Sequence, residues 1–184
     1  MSYDLFLYKS ATGKPDIEEA IKVIDDDDDI WVKKPYNYNT KTAIEKALMN
    51  VDPSLKGFDF NNLAQKQGKT VDELKQTFKK FELNSNDSFV IQLAVYDYHV
   101  AITVPFIHQG NEAERAFKKL QTYVDTVSKT AGYFLYDPQT GEAFNPSLKR
   151  LDGLAKYLSV SNDFEAIARS VGEQKNKKLW WKFW

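Results

Sequence analysis

Residues 89–106 hold two runs in which apolar side chains recur at every second position, separated by a short polar stretch. Phe89, Ile91, Leu93 and Val95 alternate with Gln92, Ala94 and Tyr96, and past Asp97-Tyr98-His99 the pattern resumes in Val100, Ile102, Val104 and Phe106. A period of two places one set of side chains on one side of a strand, so the pair reads as an antiparallel hairpin with one apolar face. A lone hairpin is marginal in water, and that face must be covered. The chain supplies a cover directly afterwards. Beyond Gly110, residues Ala113, Ala116, Phe117, Leu120, Tyr123, Val124 and Val127 recur at helical spacing. Gly132 closes this helix, and Tyr133-Phe134-Leu135-Tyr136 is a strand stopped by the turn sequence Asp137-Pro138-Gln139-Thr140-Gly141.

The first half adds a strand and several helices. Residues 3–9 form a strand ending in Ser10-Ala11-Thr12-Gly13-Lys14-Pro15, and Ile17, Ala20, Ile21 and Ile24 mark one face of a helix. The five aspartates Asp25, Asp26, Asp27, Asp28 and Asp29 end that helix by mutual repulsion. Residues 31–40 read as a loop or a short edge segment. A second helix spans Thr42 to Val51 with Ile44, Ala47, Leu48 and Val51 inward, broken by Pro53 and Gly57. Residues 61–67 are a short helix. Thr70 and Glu73 have the spacing of a capping box for a further helix reaching Lys80, with Val71, Leu74 and Phe78 buried. The order strand, helices, strand, strand, helix, strand predicts an α+β fold, a ferredoxin-like split βαβ antiparallel sheet with helices on one face. The helices at about 41–80 are then an insertion in the first crossover. Leu148, Leu151, Leu154, Leu158, Phe164, Ile167 and Val171 predict helical material over 147–172. The expected organisation is a domain over 1–145, a helical extension over 146–174 packed on it, and a Lys/Trp tail over 175–184.

Bulk composition narrows the function classes. With 184 residues, 42% hydrophobic and 14% aromatic, the chain can fill one core and is not disordered throughout. A net charge of −1 argues against a nucleic-acid binder, which carries a basic excess. The absence of cysteine excludes disulfides, thiol catalysis and cysteine-ligated metals, and fits a cytoplasmic location. The N-terminus lacks the pattern of a signal peptide, and no apolar run is long enough to span a membrane. Nothing in the chain implies a cofactor or a resident metal.

In a split βαβ sheet the first strand lies between the third and fourth and runs antiparallel to both. That topology gathers Asp4, His108, Asp137 and Gln139 at one rim, beside the start of the helix at Asn111. Two carboxylates and an imidazole suit general acid–base chemistry or a divalent ion. The same aspartates also serve as turn formers whose carboxylates bond nearby amides, and both readings stand at this point. His99 sits at the hairpin turn, expected in solvent and at the opposite rim. Asp25 to Asp29 lacks the alternating ligands and the glycine of a calcium loop, so it reads as a solvated acidic loop. Gly13-Lys14 and Gly68-Lys69-Thr70 lack the spacing of a phosphate loop. Residues 63–74 have the outline of a helix-turn-helix, but the second helix opens Thr-Val-Asp-Glu, which phosphates would repel, leaving a packed helical hairpin.

The last residues hold Trp180, Trp181, Phe183 and Trp184, preceded by Lys175, Lys177 and Lys178. Three destinations are open to them: the protein's own core, weak contact with a membrane surface, or a groove on a partner, where tryptophan is the residue type most enriched at hot spots. Further segments carry a resemblance. Ser2-Tyr3-Asp4-Leu5, Phe81-Glu82-Leu83-Asn84, Val100 to Phe106 and Gly132-Tyr133-Phe134-Leu135-Tyr136-Asp137-Pro138-Gln139 together resemble a group of small uncharacterised bacterial proteins. Its members open with a YDL-like strand and carry a late YDPQ-like turn. The resemblance covers roughly residues 1–140 and implies a bacterial cytosolic domain, with no activity to transfer. By analogy of type, small cysteine-free acidic α+β domains without a catalytic motif act by binding, as immunity proteins that neutralise toxins do. The expectation is a non-catalytic protein-binding module of this kind, with Asp25 to Asp29 and the aromatic tail as contact surfaces. A small hydrolase or metal-dependent site at the Asp4/His108/Asp137 rim and a peripheral membrane protein held by the tail are the alternatives.

Overall fold

The computed structural model describes residues 2–25 and 37–163. Seven antiparallel strands form one sheet in the order β2-β3-β4-β5-β1-β6-β7. They are β1 (Ser2–Tyr8), β2 (Leu55–Gly57), β3 (Phe81–Ser85), β4 (Gln92–Val95), β5 (His99–Pro105), β6 (Phe134–Asp137) and β7 (Glu142–Phe144). The helices are α1 (Ile17–Asp25), α2 (Tyr38–Val51), α3 (Phe60–Gln67), α4 (Val71–Thr77) and α5 (Gly110–Ala131), with α6 over residues 154–163. The protein is α+β, but its sheet is larger than the four-stranded sheet expected from the sequence. β2, β3 and β7 are the additions.

The hairpin signal holds. β4 pairs with β5, with Leu93 opposite Ile102 and Val95 opposite Val100, and β5 in turn pairs along the whole of β1. Every residue read as inward on α5, from Ala113 to Val127, is buried. Each such Val, Leu or Phe contributes about 1.5–3 kcal/mol of burial, so this helix anchors the core. α5 ends at Gly132, whose φ of 69° closes the helix through a left-handed residue bonded back to Ser128. α2 packs along α5. The Thr70–Glu73 capping box forms as expected, with both reciprocal bonds present. α3 and α4 pack as a helical hairpin.

Several boundaries differ from the sequence reading, each for a local reason. α2 starts at Tyr38 rather than Thr42, and Val51 at its end is exposed. α4 stops at Thr77, so Lys79 and Lys80 lie outside it and Phe81 opens a new strand with alternating burial. The strand read from Phe89 begins only at Gln92, because Val90 takes a φ of 55° and breaks the extended run. Asp87 accepts the Phe89 N–H and His108 bonds the Phe89 carbonyl, fixing this kink from both sides. On α1, Ala20 is buried while Ile17 and Ile21 are exposed. Leu148, read as a helical core position, is 85% exposed in a turn before α6. Phe164, Ile167 and Val171 lie outside the described residues.

α2, α5 and α6 share one face of the sheet. Tyr3, on that face, packs edge-on against Phe117 of α5 and Tyr157 of α6. The start of α1 is held against the other face, where Tyr8 Oη donates to the Asp16 carbonyl and accepts the Asp16 N–H. Over β3, β4 and β5 that second face is not covered by a described helix.

Candidate functional site

The helical face holds its charges in closed internal networks. Lys41 and Asp97 are both 1% exposed and pair at 3.0 Å, with Lys41 Nζ also donating to the carbonyls of Phe78 and Lys79 and lying over the Phe81 ring. One turn further along α2, Glu45 pairs with Lys75 of α4. Lys119 on α5 bridges Asp52 and Asp87, and Tyr123 donates to Asp52. Burial alone would raise the Asp52 carboxyl, but hydrogen bonds from Lys119, Tyr123 and Ser54 outweigh it and hold the group well below the usual carboxylate range. These networks tie α2, α4, α5 and the β3–β4 loop together.

The rim residues named from the sequence come together only in part. Asp137 is 1% exposed and accepts from Tyr3 Oη and from the backbone N–H groups of Gln139 and Thr140. The Gln139 side-chain amide, oriented to satisfy both ends, donates to the Asp4 carbonyl at 2.7 Å and to Asp137. Asp137 is therefore the turn former that its position before Pro138 suggested. Burial, and then Asp137 itself, push the Tyr3 hydroxyl far above its ordinary pKa, so it stays a proton donor. The Asp4 carboxylate projects from the opposite face, where Thr103 and Ser2 donate to it. His108 is occupied elsewhere: its Nε2 bonds the Phe89 carbonyl at 2.9 Å and its ring meets Phe89 edge-on. An aromatic cluster of Tyr3, Phe106, Phe117 and Tyr157 packs beside this rim, with Tyr157 Oη bonded to the His108 N–H. Asp4, His108 and Asp137 form no hydrogen bond with one another, and among the described residues no group of three His, Asp or Glu side chains is placed to hold a metal.

His99 corrects the sequence reading. It is not at a solvated turn but is the first residue of β5, 4% exposed and stacked on Tyr96 with ring centroids 4.2 Å apart. Desolvation by that burial lowers its pKa to about 4, so it is neutral near pH 7. Asp25 is the exposed last residue of α1. Asp26, Asp27, Asp28, Asp29, Trp180, Trp181, Phe183 and Trp184 lie outside the described residues.

Among the described residues, one groove lies on the second face of the sheet. Strand register lays its side chains in rows that cross the sheet. One row is polar, running from Lys56 through Asn84, Gln92 and Thr103 to Asp4. The adjacent row runs Glu82, Ala94, Ala101, Phe6, Tyr136. Ala94 and Ala101 are cross-strand neighbours with almost no side chain, so the face dips between Asn84, Gln92 and Thr103 on one side and Lys80 on the other, leaving a groove of about 180 Å3. Lys80 and Glu82, paired at 2.6 Å, close its end. The same two residues open a second groove of about 300 Å3 walled by Phe58, Phe60 and Phe78. Phe58 is 52% exposed, edge-on to Phe60 and tilted against Phe78. The two grooves share Lys80 and Glu82 as lining residues.

Comparison with known proteins adds no assignment. No family model matches this chain, and neither the curated proteins nor the solved structures yield a match. The site is thus read from its own geometry. The sequence reading missed it because its walls come from β3, β4 and β5 together, and β3 was not recognised as a strand. The signal available was the alternation in Phe81-Glu82-Leu83-Asn84-Ser85 and the small outward pair Ala94 and Ala101.

Proposed function

We propose that this protein is a non-catalytic protein-binding module whose contact surface includes the two grooves lined by Lys80 and Glu82. The observation that supports this reading is the exposed Phe58, with Phe78 beside it, in a groove that shares Lys80 and Glu82 with the groove along Asn84, Gln92 and Thr103. Half-exposed aromatics beside polar hydrogen-bonding side chains are the anatomy of a binding surface, with an apolar anchor pocket and a wet rim. The largely buried charges of the helical face, Lys41, Glu45, Asp52 and Asp97, have internal partners, which suits a scaffold role for that side. The narrower form is an immunity-type protein in the cytoplasm that neutralises a bacterial toxin, with the acidic run from Asp25 to Asp29 as a second contact to a basic partner.

The arrangement of the central strands supports an elaborated split βαβ as the fold beneath this surface. β4, β5, β1 and β6 are consecutive neighbours, β1 is antiparallel to both β5 and β6, and α2 and α5 lie in the two crossovers. The additions at either edge then extend a familiar core.

The test is capture of a partner from lysate of the cells that make this protein, followed by reassembly of the complex from both purified components. A one-to-one complex stable to gel filtration is expected. If no protein co-purifies and reassembles, the binding-module reading is wrong.

A further inference from the structure

We infer that the groove walled by Phe58, Phe60 and Phe78 receives the C-terminal segment of this same chain, with an indole of the Trp180-Trp181 pair seated against Phe58. The docking stands without any partner. Its consequence, that a partner must displace the segment to reach this groove, rests on the protein-binding reading above.

Ring chemistry and chain length both point to this occupant. Among the exposed large apolar side chains of the described residues, Phe58 is the only aromatic. The others are aliphatic and line neither groove. Phe58 meets Phe60 edge-on at 5.1 Å and lies tilted against Phe78 at 5.7 Å, so ring edges and faces border the same space of about 300 Å3. A further aromatic ring completes such a cluster better than an aliphatic side chain does. The C-terminal segment carries three of the chain's four tryptophans, and tryptophan is costly to leave in water. Its point of departure is fixed. The described residues end at Asp163 in α6, where Ser161 Oγ donates to the His108 carbonyl at 3.0 Å and Tyr157 Oη to the Pro105 carbonyl at 2.6 Å. The chain therefore leaves the domain at the rim where β5 ends, and strand pairing brings the end of β3 to that rim. The groove lies at the other end of β3, about 17 Å away along five residues of strand. From Asp163 to Trp180 the chain reaches up to about 55 Å when extended. Wound entirely as helix, it would still cover about 25 Å.

The chain has no cysteine, so Lys178→Cys in the 15N-labelled full chain takes a single nitroxide close to Trp180. The amide signals of Phe58, Phe78 and Lys80 are expected to be lost while the nitroxide is oxidised and to return on its reduction. Those of Glu142 and Phe144, at the far edge of the sheet, are expected to persist throughout. A mixture of labelled chain without nitroxide and unlabelled chain bearing it is expected to keep every signal, which places the contact within one molecule. Phe58→Ala in the nitroxide-bearing chain is expected to restore the signals of Phe78 and Lys80 at unchanged melting temperature. The inference is overturned if the nitroxide spares these amides, if it erases signals elsewhere on the sheet instead, if the loss appears in the mixture, or if Phe58→Ala restores nothing. A segment that docks in a protein with no native partner upholds this inference and removes the binding-module reading. A native partner bound by a chain whose segment does not dock does the reverse.

Discussion

The two faces of the sheet solve opposite problems with the same strands. Under α2, α5 and α6, Tyr3, Leu5, Leu7, Val100, Ile102 and Val104 are fully buried, and the charges that intrude there, Lys41, Glu45, Asp52 and Asp97, are matched by partners from other elements. Across the sheet, one residue along each strand, Asp4, Gln92, Ala94, Ala101 and Thr103 are half-buried or exposed and enclose a groove instead of filling it. The difference teaches where this molecule tolerates change: substitutions on the helical face are read out in folding, whereas those on the groove face leave the core intact.

The sharpest way to break that contrast is at the buried pair. Lys41→Met strands the Asp97 carboxylate, whose oxygens have no other hydrogen-bond donor among the described residues, and is expected to cost about 4 kcal/mol in chemical denaturation. Adding Asp97→Leu should recover most of the loss, since an apolar pair of similar volume is tolerated where an unpaired charge is not. If the single change costs less than about 1 kcal/mol, the helical face is not the rigid side.

Gly153 tests the seam between α6 and the sheet. A Cβ there would lie 1.6 Å from Tyr3 Oη and 3.1 Å from Asp137 Oδ2, so Gly153→Ala must displace the bonded pair. A loss of about 3 kcal/mol is expected. Tyr3→Phe in the same chain should relieve only part of it, because the ring carbon at 2.7 Å remains. Thermal melts of the two singles and the double would give that coupling.

His99 sharpens the comparison through pH. Its folded pKa is lowered from 6.5 to about 4, so the unfolded chain binds the proton first as pH falls. The stability it leaves intact above pH 6.5 is lost progressively toward pH 4, amounting to about 2 kcal/mol between pH 7 and pH 5. His99→Gln should flatten the urea stability profile in that window. Asp52 acts in the same direction but lower: its contribution is full above the ordinary carboxylate range and is lost as pH falls through that range toward its own depressed pKa.

Val90 offers a gain. A β-branched residue at a φ of 55° is strained, so Val90→Asn should raise stability by about 1 kcal/mol. The smallest effects belong to the groove. Phe58→Ala and Asn84→Ala are each expected to change unfolding free energy by no more than about 0.5 kcal/mol. A large loss from either would place the groove in the core and erase the distinction between the faces.

How much of this was legible depended on length and locality. The hairpin, α5 with all seven inward residues, the capping box at Thr70 and the turn at Asp137 follow from periodicity or from contacts within a few residues. β2 and β7 are three residues each, too short to show a period. β3 alternates, but it follows helical sequence with only three residues between. The structure brings Gln139 to Asp137 and to the Asp4 main chain, while His108 bonds the Phe89 carbonyl instead, because a topology places a residue at a rim without saying which neighbour its side chain will take.

The sequence alone determined which residues face which side of the hairpin strands and where the long helix runs, because those are one-dimensional patterns fixed by backbone geometry. It also determined that no cysteine chemistry operates here. Only the tertiary structure decided that Lys41 meets Asp97 across 56 residues, that His99 is buried on Tyr96, and that Ala94 and Ala101 lie side by side. Those facts depend on strand register and on helix docking. Both are settled by the whole core closing at once, since a slip of one residue would exchange every buried side chain for an exposed one.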